Sequence, residues 1–343
     1  MCGRVACTLA ADDVCRTCRR TQGNGKWSQP KWKQAPDGGK YYPSYNAAPT
    51  NYLPVMVSKK HFEDSKKDPK METENPEEPE SSTKLSEDQE LAEGEVPSDF
   101  VIQPMKWGLI PPWHSGDTKS AGYNTINARS DTMCDKNTYK RPLEKGRRCV
   151  VLCDGYFEWH NKSQPYYIYH PEEGTTVIKT EVKSEDGAEG QNSQNSGDSP
   201  KKLLTMAGIF DIYRPKNGDP PLYSYSMITV DAHDKMSWLH KRMPAILSTD
   251  EEVARWLNFG EVPLKEAVKL IYPREQVKHH PVSTMVNKVQ NKTPDCIKPV
   301  NISASKNFMS AWLQKGAKKR KSSEFNEESA GDVKKMKTES ESS

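Results

Sequence analysis

Two long acidic segments divide this 343-residue sequence and limit where a folded core can form. Residues 63–99 contain 14 acids and 4 lysines, and residues 172–200 contain 7 acids and 2 lysines. Because these segments have few apolar side chains, burial cannot offset the conformational entropy that is lost on folding. We predict that both are disordered acidic inserts. Residues 314–343, with 8 basic and 6 acidic side chains, are predicted to form a disordered tail.

The charge of the rest of the chain differs from the charge of the whole. Without the inserts and the tail, 247 residues carry 36 Lys and Arg against 20 Asp and Glu, a net charge of +16, whereas the full chain has +3. A basic folded part indicates a polyanionic partner, because neutralised phosphates release condensed counterions. Nucleic acid is the partner that we expect, and a merely cationic surface is the alternative.

No stretch approaches the roughly 18 apolar residues that a membrane-spanning helix needs, and the N-terminus lacks the apolar stretch of a signal peptide. We therefore expect an intracellular protein without a membrane partner. The eight cysteines are irregularly spaced in a long chain, so we expect them to be reduced rather than paired in disulfides.

The segments outside the inserts predict a mixed fold. Short runs of β-branched and aromatic residues predict strands at 148–159, 166–169, 203–213 and 223–230. Thr249 or Asp250 would cap a helix over 251–257, and Pro263 would open a second helix that continues to Ile271. We predict a single α+β domain over residues 2–313, built on a strongly bent sheet or barrel with small helices.

Cys2 has the most distinctive chemistry in the chain. Removal of Met1 leaves an α-amine, with a pKa of about 7.7 to 8.0, beside a thiol with a pKa of about 8.5. Such a 1,2-aminothiol attacks an aldehyde twice: the amine forms an imine, and the thiolate then closes a five-membered thiazolidine. The alternative is that Cys2 lies by chance at a frayed terminus.

Three later segments contain groups that this chemistry needs. Asn127 and Arg129 supply an amide and a guanidinium. Glu158 is a carboxylate between two aromatic residues and would transfer protons if it lay in a pocket, although a surface position at a strand end is the alternative. His240 precedes Arg242 by two residues and is either an acid/base group or an ordinary helix-flanking histidine.

These segments occur in a fixed order with several others, and that order resembles the SRAP family. The motifs are residues 1–4 (MCGR), 45–49 (YNAAP), 107–113 (WGLIPPW), 127–130 (NARS), 154–159 (DGYFEW), 240–244 (HKRMP) and 280–283 (HPVS). The resemblance extends from Cys2 to about Pro299, apart from the two acidic inserts.

The resemblance implies a protein that holds single-stranded DNA and crosslinks the ring-opened aldehyde of an abasic site through its N-terminal cysteine. The thiazolidine crosslink would shield the lesion from strand cleavage during replication-linked repair, and Met1 would be removed by the protein itself. By motif position, the resemblance assigns four roles. Cys2 would be the nucleophile, and Asn127 would orient its amine. Glu158 would transfer protons, and His240 would assist ring opening.

The resemblance also implies a set of DNA contacts. It assigns phosphate contacts to Arg4, Arg129 and Arg242, because fixed guanidinium forks suit phosphates. Asn46 is a further expected DNA contact. Trp113 would stack on a base, whereas Trp107 is expected in the core.

Partners and location complete these expectations. We expect no cofactor, no metal ion and a monomer in the nucleus, with a basic cluster at 318–321 as the import signal. Apolar-Lys-x-Glu patterns at 178–181, 182–185 and 336–339 would be read by SUMO-conjugating or ubiquitin machinery. An apolar cluster of Phe308, Trp312 and Leu313 would contact a replication clamp, although the Gln of a clamp-binding box is missing.

Three alternatives remain open at the level of sequence. Cys15 and Cys18 have the spacing of half a structural zinc site, but a second close pair is absent. A thiol peptidase would use a Cys, His and Glu set, including an autopeptidase that acts once. A DNA-binding module without covalent chemistry needs only Arg and Trp. The position of Cys2 favours aldehyde capture, because only that reaction requires an α-amine on the cysteine.

Overall fold

The computed structural model describes residues 3–21, 24–63, 92–171 and 202–302. Cys2, residues 64–91, residues 172–201 and the chain after residue 302 lie outside the described part. Several predicted features therefore lie outside it as well: the import cluster at 318–321, the three apolar-Lys-x-Glu patterns and the cluster from Phe308 to Leu313. The predicted tail, the second insert and most of the first insert also lie outside the described part.

Strands dominate the described residues. They are β1 Val5–Cys7, β2 Arg20–Thr21, β3 Trp27–Ser28, β4 Lys31–Trp32, β5 Ser44–Ala47, β6 Tyr52–Ser58, β7 Phe100–Trp107, β8 Asn127–Arg129, β9 Arg148–Cys153, β10 Gly155–His160, β11 Gln164–Tyr169, β12 Leu204–Tyr213, β13 Leu222–Asp231, β14 Arg242–Pro244 and β15 Lys278–Pro281. The α-helices are short: α1 Ala11–Thr17, α2 Lys60–Glu63, α3 Asn137–Glu144, α4 Asp234–Ser237, α5 Asp250–Leu257 and α6 Leu264–Ala267. Single 3-10 turns cover Tyr123–Thr125, Val268–Leu270, Thr284–Asn287 and Pro294–Cys296.

The larger sheet curls into a closed ring. Its order is β14-β13-β12-β9-β6-β7-β4, and β7 pairs back in parallel with β13, so that five strands from β13 to β7 form a barrel. The short strand β8 pairs in parallel with β13 at Met227 to Thr229, just after the two residues of β13 that pair with β7. This confirms the predicted α+β fold on a bent sheet or barrel.

The second sheet has the order β15-β11-β10-β1-β5, with antiparallel pairing throughout. It contains β10, which the sequence predicts as the continuation of β9. That prediction of one strand over 148–159 is wrong, because the chain changes sheet at Asp154. The Asp154 carboxylate accepts hydrogen bonds from the amide and the hydroxyl of Thr8 at 2.8 and 2.6 Å, which fixes the bend between the two strands.

Two apolar clusters fill the described part of the molecule. The larger cluster fills the barrel and includes Trp107, Cys149 and Cys153, each fully buried as predicted. The smaller cluster covers the outer face of the second sheet and contains Phe157 and Tyr167.

The helix predictions are confirmed in part. Thr249 caps α5 by accepting a hydrogen bond from the Glu252 amide, and the Trp256 indole of that helix donates to the Cys149 carbonyl at 2.9 Å. The helix after Pro263 exists, but it changes to a 3-10 turn at Val268.

The boundary of the first predicted insert needs correction at its end. The Trp27 amide donates to the Gly94 carbonyl at 2.9 Å, and the Val96 amide donates to the Trp27 carbonyl at 2.8 Å. The end of the predicted insert is therefore held by backbone hydrogen bonds rather than disordered, because Trp27 pairs with Glu95 in an isolated bridge just before β7. Residues up to Lys298 form one compact unit, and a second unit begins at Pro299. Within the described residues, none of the helices has the length and apolar character needed to cross a membrane.

Candidate active site

The N-terminal strand lies between two other strands of the second sheet. β1 pairs with β5 on one side and with β10 on the other, with Val5 opposite Tyr156. The Phe157 amide donates to the Arg4 carbonyl at 2.9 Å, which extends this pairing by one residue. Continuing the same antiparallel register places Gly3 opposite Glu158. The residue that follows Cys2 is thereby beside the predicted proton-transfer group.

Glu158 is buried in β10. Its residue surface is 5 % exposed, and its Oε1 accepts a hydrogen bond from the Trp159 amide at 3.3 Å. Burial of a carboxylate is costly unless other groups compensate for it, so this buried acid is a candidate for proton transfer. The alternative of a surface glutamate at a strand end is ruled out.

Arg4 is half-buried and Asn46 is fully buried, and both side chains form hydrogen bonds with protein groups. Arg4 donates to Asn46 Oδ1 at 2.9 Å, to the Val286 carbonyl at 2.8 Å and to the Asn287 carbonyl at 3.3 Å. Asn46 is fully buried, and its Nδ2 contacts the carbonyls of Val286, Lys288 and Asn291 at 2.9 to 3.1 Å. Both side chains thus fasten the segment 286–291 to the N-terminal strand, in contrast to the expected DNA contacts.

The segment 286–291 is a part of the site that the sequence analysis missed. The Trp159 indole donates to Asn287 Oδ1 at 2.7 Å, so β10 holds this segment from a second side. A signal was present in the sequence, since the segment directly follows the motif at 280–283.

Asn127 and Arg129 lie on β8. The half-buried Asn127 is the register partner of Met227, and its carbonyl accepts a hydrogen bond from the Tyr139 hydroxyl of α3 at 3.2 Å. The Arg129 side chain is 50 % exposed and forms a bidentate pair with Asp131, with a distance of 3.0 Å from Nε to Oδ1. The hydrogen bond from Arg129 lowers the pKa of Asp131 to about 2. Arg129 is the one of the three predicted phosphate-binding arginines that the structure leaves at the surface.

Arg242 is buried, and its guanidinium is held by protein groups. It donates to Asp231 Oδ1 at 2.8 Å and to the Thr229 carbonyl, and it lies 3.8 Å from Asp131. The buried guanidinium of Arg242 donates its hydrogen bonds to protein acceptors, so the expected direct phosphate contact does not fit it. We interpret Arg242 as a positioning residue. Its position orders both His240 and the Arg129–Asp131 pair.

His240 is half-buried immediately before β14. Its Nδ1 lies 3.0 Å from the Arg242 nitrogen and 3.1 Å from the Arg242 carbonyl oxygen. In either tautomer the backbone of Arg242 therefore fixes the Nδ1 side of the ring, as expected of an oriented acid/base imidazole.

His240 and Glu158 are linked by a short series of contacts. The Trp238 ring, two residues before His240, lies edge-on to Tyr166 with 5.0 Å between ring centroids. Tyr166 is the cross-strand partner of Glu158. The segment that carries His240 therefore packs on the part of the second sheet that carries Glu158.

Trp113 is 48 % exposed, as expected of a base-stacking residue. The Arg141 guanidinium lies 5.0 Å from the centre of its ring. Trp113 follows a loop that passes very close to the segment before β8: a Cβ on Gly108 would come within 2.6 Å of the Gly122 backbone, so neither residue can be larger than glycine. Trp107 is fully buried, and its indole donates to the Ile126 carbonyl at 3.0 Å.

A cleft of about 520 Å³ lies elsewhere on the molecule, lined by residues that include Asp37, Tyr52, Lys106 and Tyr213. The predicted site residues are not among its lining. Lys106 donates to the backbone carbonyls of Thr118 and Lys119, so we interpret it as a group that holds this loop.

The zinc alternative is not supported by the described residues, which contain no group of three or more His, Cys, Asp or Glu side chains able to hold a metal ion. Burial raises the pKa of Cys15 to about 11 and the pKa of Cys18 to about 12.

Comparisons with known proteins agree with the motif order. A family model described as SOS response associated peptidase (SRAP) matches residues 1–289. The abasic site processing protein HMCES of Xenopus tropicalis is 44 % identical over 94 % of this chain and 88 % of its own length, and that of Gallus gallus is 40 % identical with the same coverage. The abasic site processing protein YoqW of Bacillus subtilis is 25 % identical over 76 % of this chain and 87 % of its own. A crystal structure of a Bacteroides thetaiotaomicron protein, 21 % identical, matches the fold with a TM-score of 0.56 over 88 % of this chain and all of its own.

Proposed function

Because this chain belongs to the SRAP family, we propose that it processes abasic sites in single-stranded DNA by capturing the lesion covalently through Cys2. Relatives that are named abasic site processing proteins, 39 to 44 % identical over about nine tenths of the chain, support the processing of such lesions. The covalent step is supported by the register of β1, which brings Gly3 beside the buried Glu158. Cys2 directly precedes Gly3 in the chain, and consecutive Cα atoms are 3.8 Å apart.

The first chemical step would open the sugar. An abasic sugar is mainly a cyclic hemiacetal, and its opening removes the proton of the C1′ hydroxyl, breaks the bond from C1′ to the ring oxygen and places a proton on that oxygen. His240 is the group that we assign to this proton movement, because its ring is fixed at Nδ1 by the Arg242 backbone. Its product is a free aldehyde at C1′.

The second step would form the crosslink. The amine of Cys2, oriented by Asn127, adds to C1′, and one of its protons passes to the aldehyde oxygen to make a hydroxyl. Glu158 donates a proton to this hydroxyl, which leaves as water and gives a protonated imine, and the Cys2 thiol returns a proton to Glu158 as it becomes the thiolate. The Cys2 thiolate then adds to the resulting imine carbon and closes the thiazolidine. The net reaction joins one aldehyde to one aminothiol and releases one water.

The binding of DNA would rest on exposed groups. Arg129 would contact a backbone phosphate, for which its planar fork is suited. Trp113 would stack on a base, which contributes on the order of 1 to 3 kcal/mol without sequence preference. Three further residues would act as positioning residues, because their polar groups form hydrogen bonds with other protein groups: Arg4, Asn46 and Arg242.

The peptidase named in the family description is the second candidate. Its activity would be limited to removal of Met1, which exposes the amine that the crosslink needs. The proposed reaction needs no cofactor, because it uses only groups of this chain and of DNA. A nuclear location follows from its DNA substrate, and a monomer stays a prediction.

A crosslinking assay would test the proposal. Wild type, Cys2→Ala and Cys2→Ser are incubated with a single-stranded oligonucleotide that bears one abasic site, and the products are separated under denaturing conditions with and without borohydride. We expect a stable adduct for wild type, none for Cys2→Ala without reductant, and a Cys2→Ser adduct only after reduction. Tight binding without any wild-type adduct would contradict the covalent step and favour a non-covalent DNA-binding module.

A further inference from the structure

Four aromatic rings meet at the ends of β10, β11 and β15. The centroid of Trp238 lies 5.0 Å from that of Tyr166, 5.3 Å from that of His279 and 5.6 Å from that of His160. Trp238 is 42 % exposed, although three other rings support it. We call these four residues the Trp238 platform.

The Trp238 platform lies on the same face of the second sheet as Glu158. Side chains alternate along a strand, so Tyr156, Glu158 and His160 share one face of β10. Tyr156 packs in the barrel core, whereas Phe157 packs in the outer cluster, which identifies the shared face as the one turned toward the barrel. His160 follows Glu158 by two residues, or roughly 6.5 to 7 Å along the strand.

The exposed part of Trp238 is an aromatic surface rather than a polar group. Its indole nitrogen already donates to the Lys235 carbonyl at 2.9 Å. The contact with Tyr166, with an interplanar angle of 81°, fixes the orientation of the ring. Exposed aromatic rings stack on any base, because every base has a π-face.

Charge near the Trp238 platform favours a nucleic acid as its occupant. Lys241 follows His240 directly, lies three residues after Trp238 and is exposed. It has no ion pair within 4 Å among the described residues, whereas Lys235 is paired with Glu275. An exposed cation next to the proposed reactive histidine, and close in sequence to the stacking ring, fits a strand of DNA that continues past the lesion.

We propose that the Trp238 platform binds the base of a nucleotide adjacent to the abasic residue and so fixes which sugar of the strand lies beside Glu158. This inference rests on the proposed function, since it places the platform beside the lesion. The platform would be a second base-stacking surface, in addition to Trp113.

A double-mutant cycle tests this contact. Oligonucleotides carry a tetrahydrofuran abasic analogue, which has no aldehyde, and either keep or lack the base at the next position on one side or the other. Their dissociation constants are measured with wild type, Trp238→Ala and Trp238→Phe. Tyr272→Ala serves as the matched control, because Tyr272 is 43 % exposed but lies outside the platform.

The proposal predicts that Trp238→Ala weakens binding of the intact oligonucleotide by about 5-fold to 100-fold, the range for loss of one stacked base, and that Trp238→Phe recovers much of it. Removal of the neighbouring base on one side weakens wild type similarly but changes Trp238→Ala little, and Tyr272→Ala behaves as wild type. Equal effects of base removal in wild type and Trp238→Ala, on both sides of the lesion, would overturn the proposal. The cycle uses an oligonucleotide that cannot be crosslinked, so failure of wild type to crosslink a reactive abasic site would contradict the proposed function separately.

Discussion

The guanidinium of Arg4 donates a hydrogen bond to Oδ1 of Asn46 at 2.9 Å, two residues from the proposed nucleophile. The amide nitrogen of Asn46 in turn contacts three backbone carbonyls between Val286 and Asn291. A segment near the end of the described chain therefore holds the start of the chain in place. The proposed chemistry requires a fixed position of the N-terminal strand, and these buried hydrogen bonds help to fix it.

Asn46→Ala tests this connection. The substitution removes an acceptor of Arg4 and a donor to buried carbonyls, and we expect a loss of about 1 to 3 kcal/mol in the free energy of unfolding, together with a slower crosslinking rate at saturating DNA. Urea unfolding and initial rates measure both. Asn217→Ala removes an exposed hydrogen bond to Asp219 and is the control, expected within about 0.5 kcal/mol of wild type. A full crosslinking rate in Asn46→Ala would show that the connection does not position the N-terminus.

The pair of Arg129 and Asp131 predicts opposite effects on DNA binding. Arg129→Ala removes a phosphate contact, so affinity falls and the slope of log K against log salt decreases by about 1. Asp131→Asn removes the anion that competes with phosphate for Arg129, so affinity rises. Salt titrations with a tetrahydrofuran oligonucleotide measure both variants, and Arg255→Ala, at an exposed position on α5, is the control. A slope that is the same for Arg129→Ala and wild type would rule out the phosphate contact.

Glu158→Gln separates chemistry from binding. Glutamine has nearly the same shape but cannot take up and return a proton, so we expect the crosslinking rate to fall by about 10² to 10⁴. The affinity for the uncrosslinkable oligonucleotide should change little, because Glu158 is buried and is not assigned a DNA contact. Single-turnover rates and dissociation constants are the measurements; a parallel loss of both would point to a structural role.

His61 predicts a pH dependence of stability. Its ring stacks on Phe259 at 4.2 Å and lies edge-on to Phe210 at 5.0 Å, and burial lowers its pKa to about 4 from an ordinary value of 6.5. Between these values the unfolded chain binds the proton and the folded chain does not, so stability is complete above about pH 6.5 and is lost as the pH falls toward 4, by up to about 3 kcal/mol.

The measurement for His61 is urea unfolding at pH 7.5 and pH 4.5 for wild type and His61→Phe. Phenylalanine keeps the stacked ring and does not titrate, so the variant should lose less stability on acidification than wild type. Identical losses in the two proteins would assign the acid sensitivity to other groups.

Much of the fold could be predicted from local pattern. The runs at 166–169, 203–213 and 223–230 are strands because their β-branched and aromatic side chains suit a buried sheet. The change of sheet at Asp154 could not be predicted, because Asp154 is held by Thr8, 146 residues away in the sequence. β6 and β7 each contain a proline, which argues against a central strand; the structure pairs Pro54 directly with Pro104, so that two residues without an N–H oppose each other.

The identities of the candidate site residues were easier to predict than their surroundings. Motif order selects Glu158, His240 and Arg129. In the structure Glu158 is buried on β10, His240 is held at Nδ1 by the Arg242 backbone, and Arg129 is exposed. The same motifs do not show that Arg242 is neutralised by Asp231 or that Asn46 reaches residues about 240 positions away. Those pairings depend on the tertiary fold, which brings acceptors from distant segments to Arg242 and Asn46.

The most direct test of the central claim is the intact mass of the adduct between the protein and an oligonucleotide with one abasic site. The central claim requires the amine and the thiol of a single residue, so wild type is compared with a variant in which one glycine is inserted between Met1 and Cys2. We predict for wild type, without reductant, the mass of the chain lacking Met1 plus the oligonucleotide minus one water. The insertion variant should give an adduct only after borohydride reduction. An equally stable unreduced adduct in the insertion variant, or a wild-type adduct that retains Met1, would contradict thiazolidine formation at Cys2.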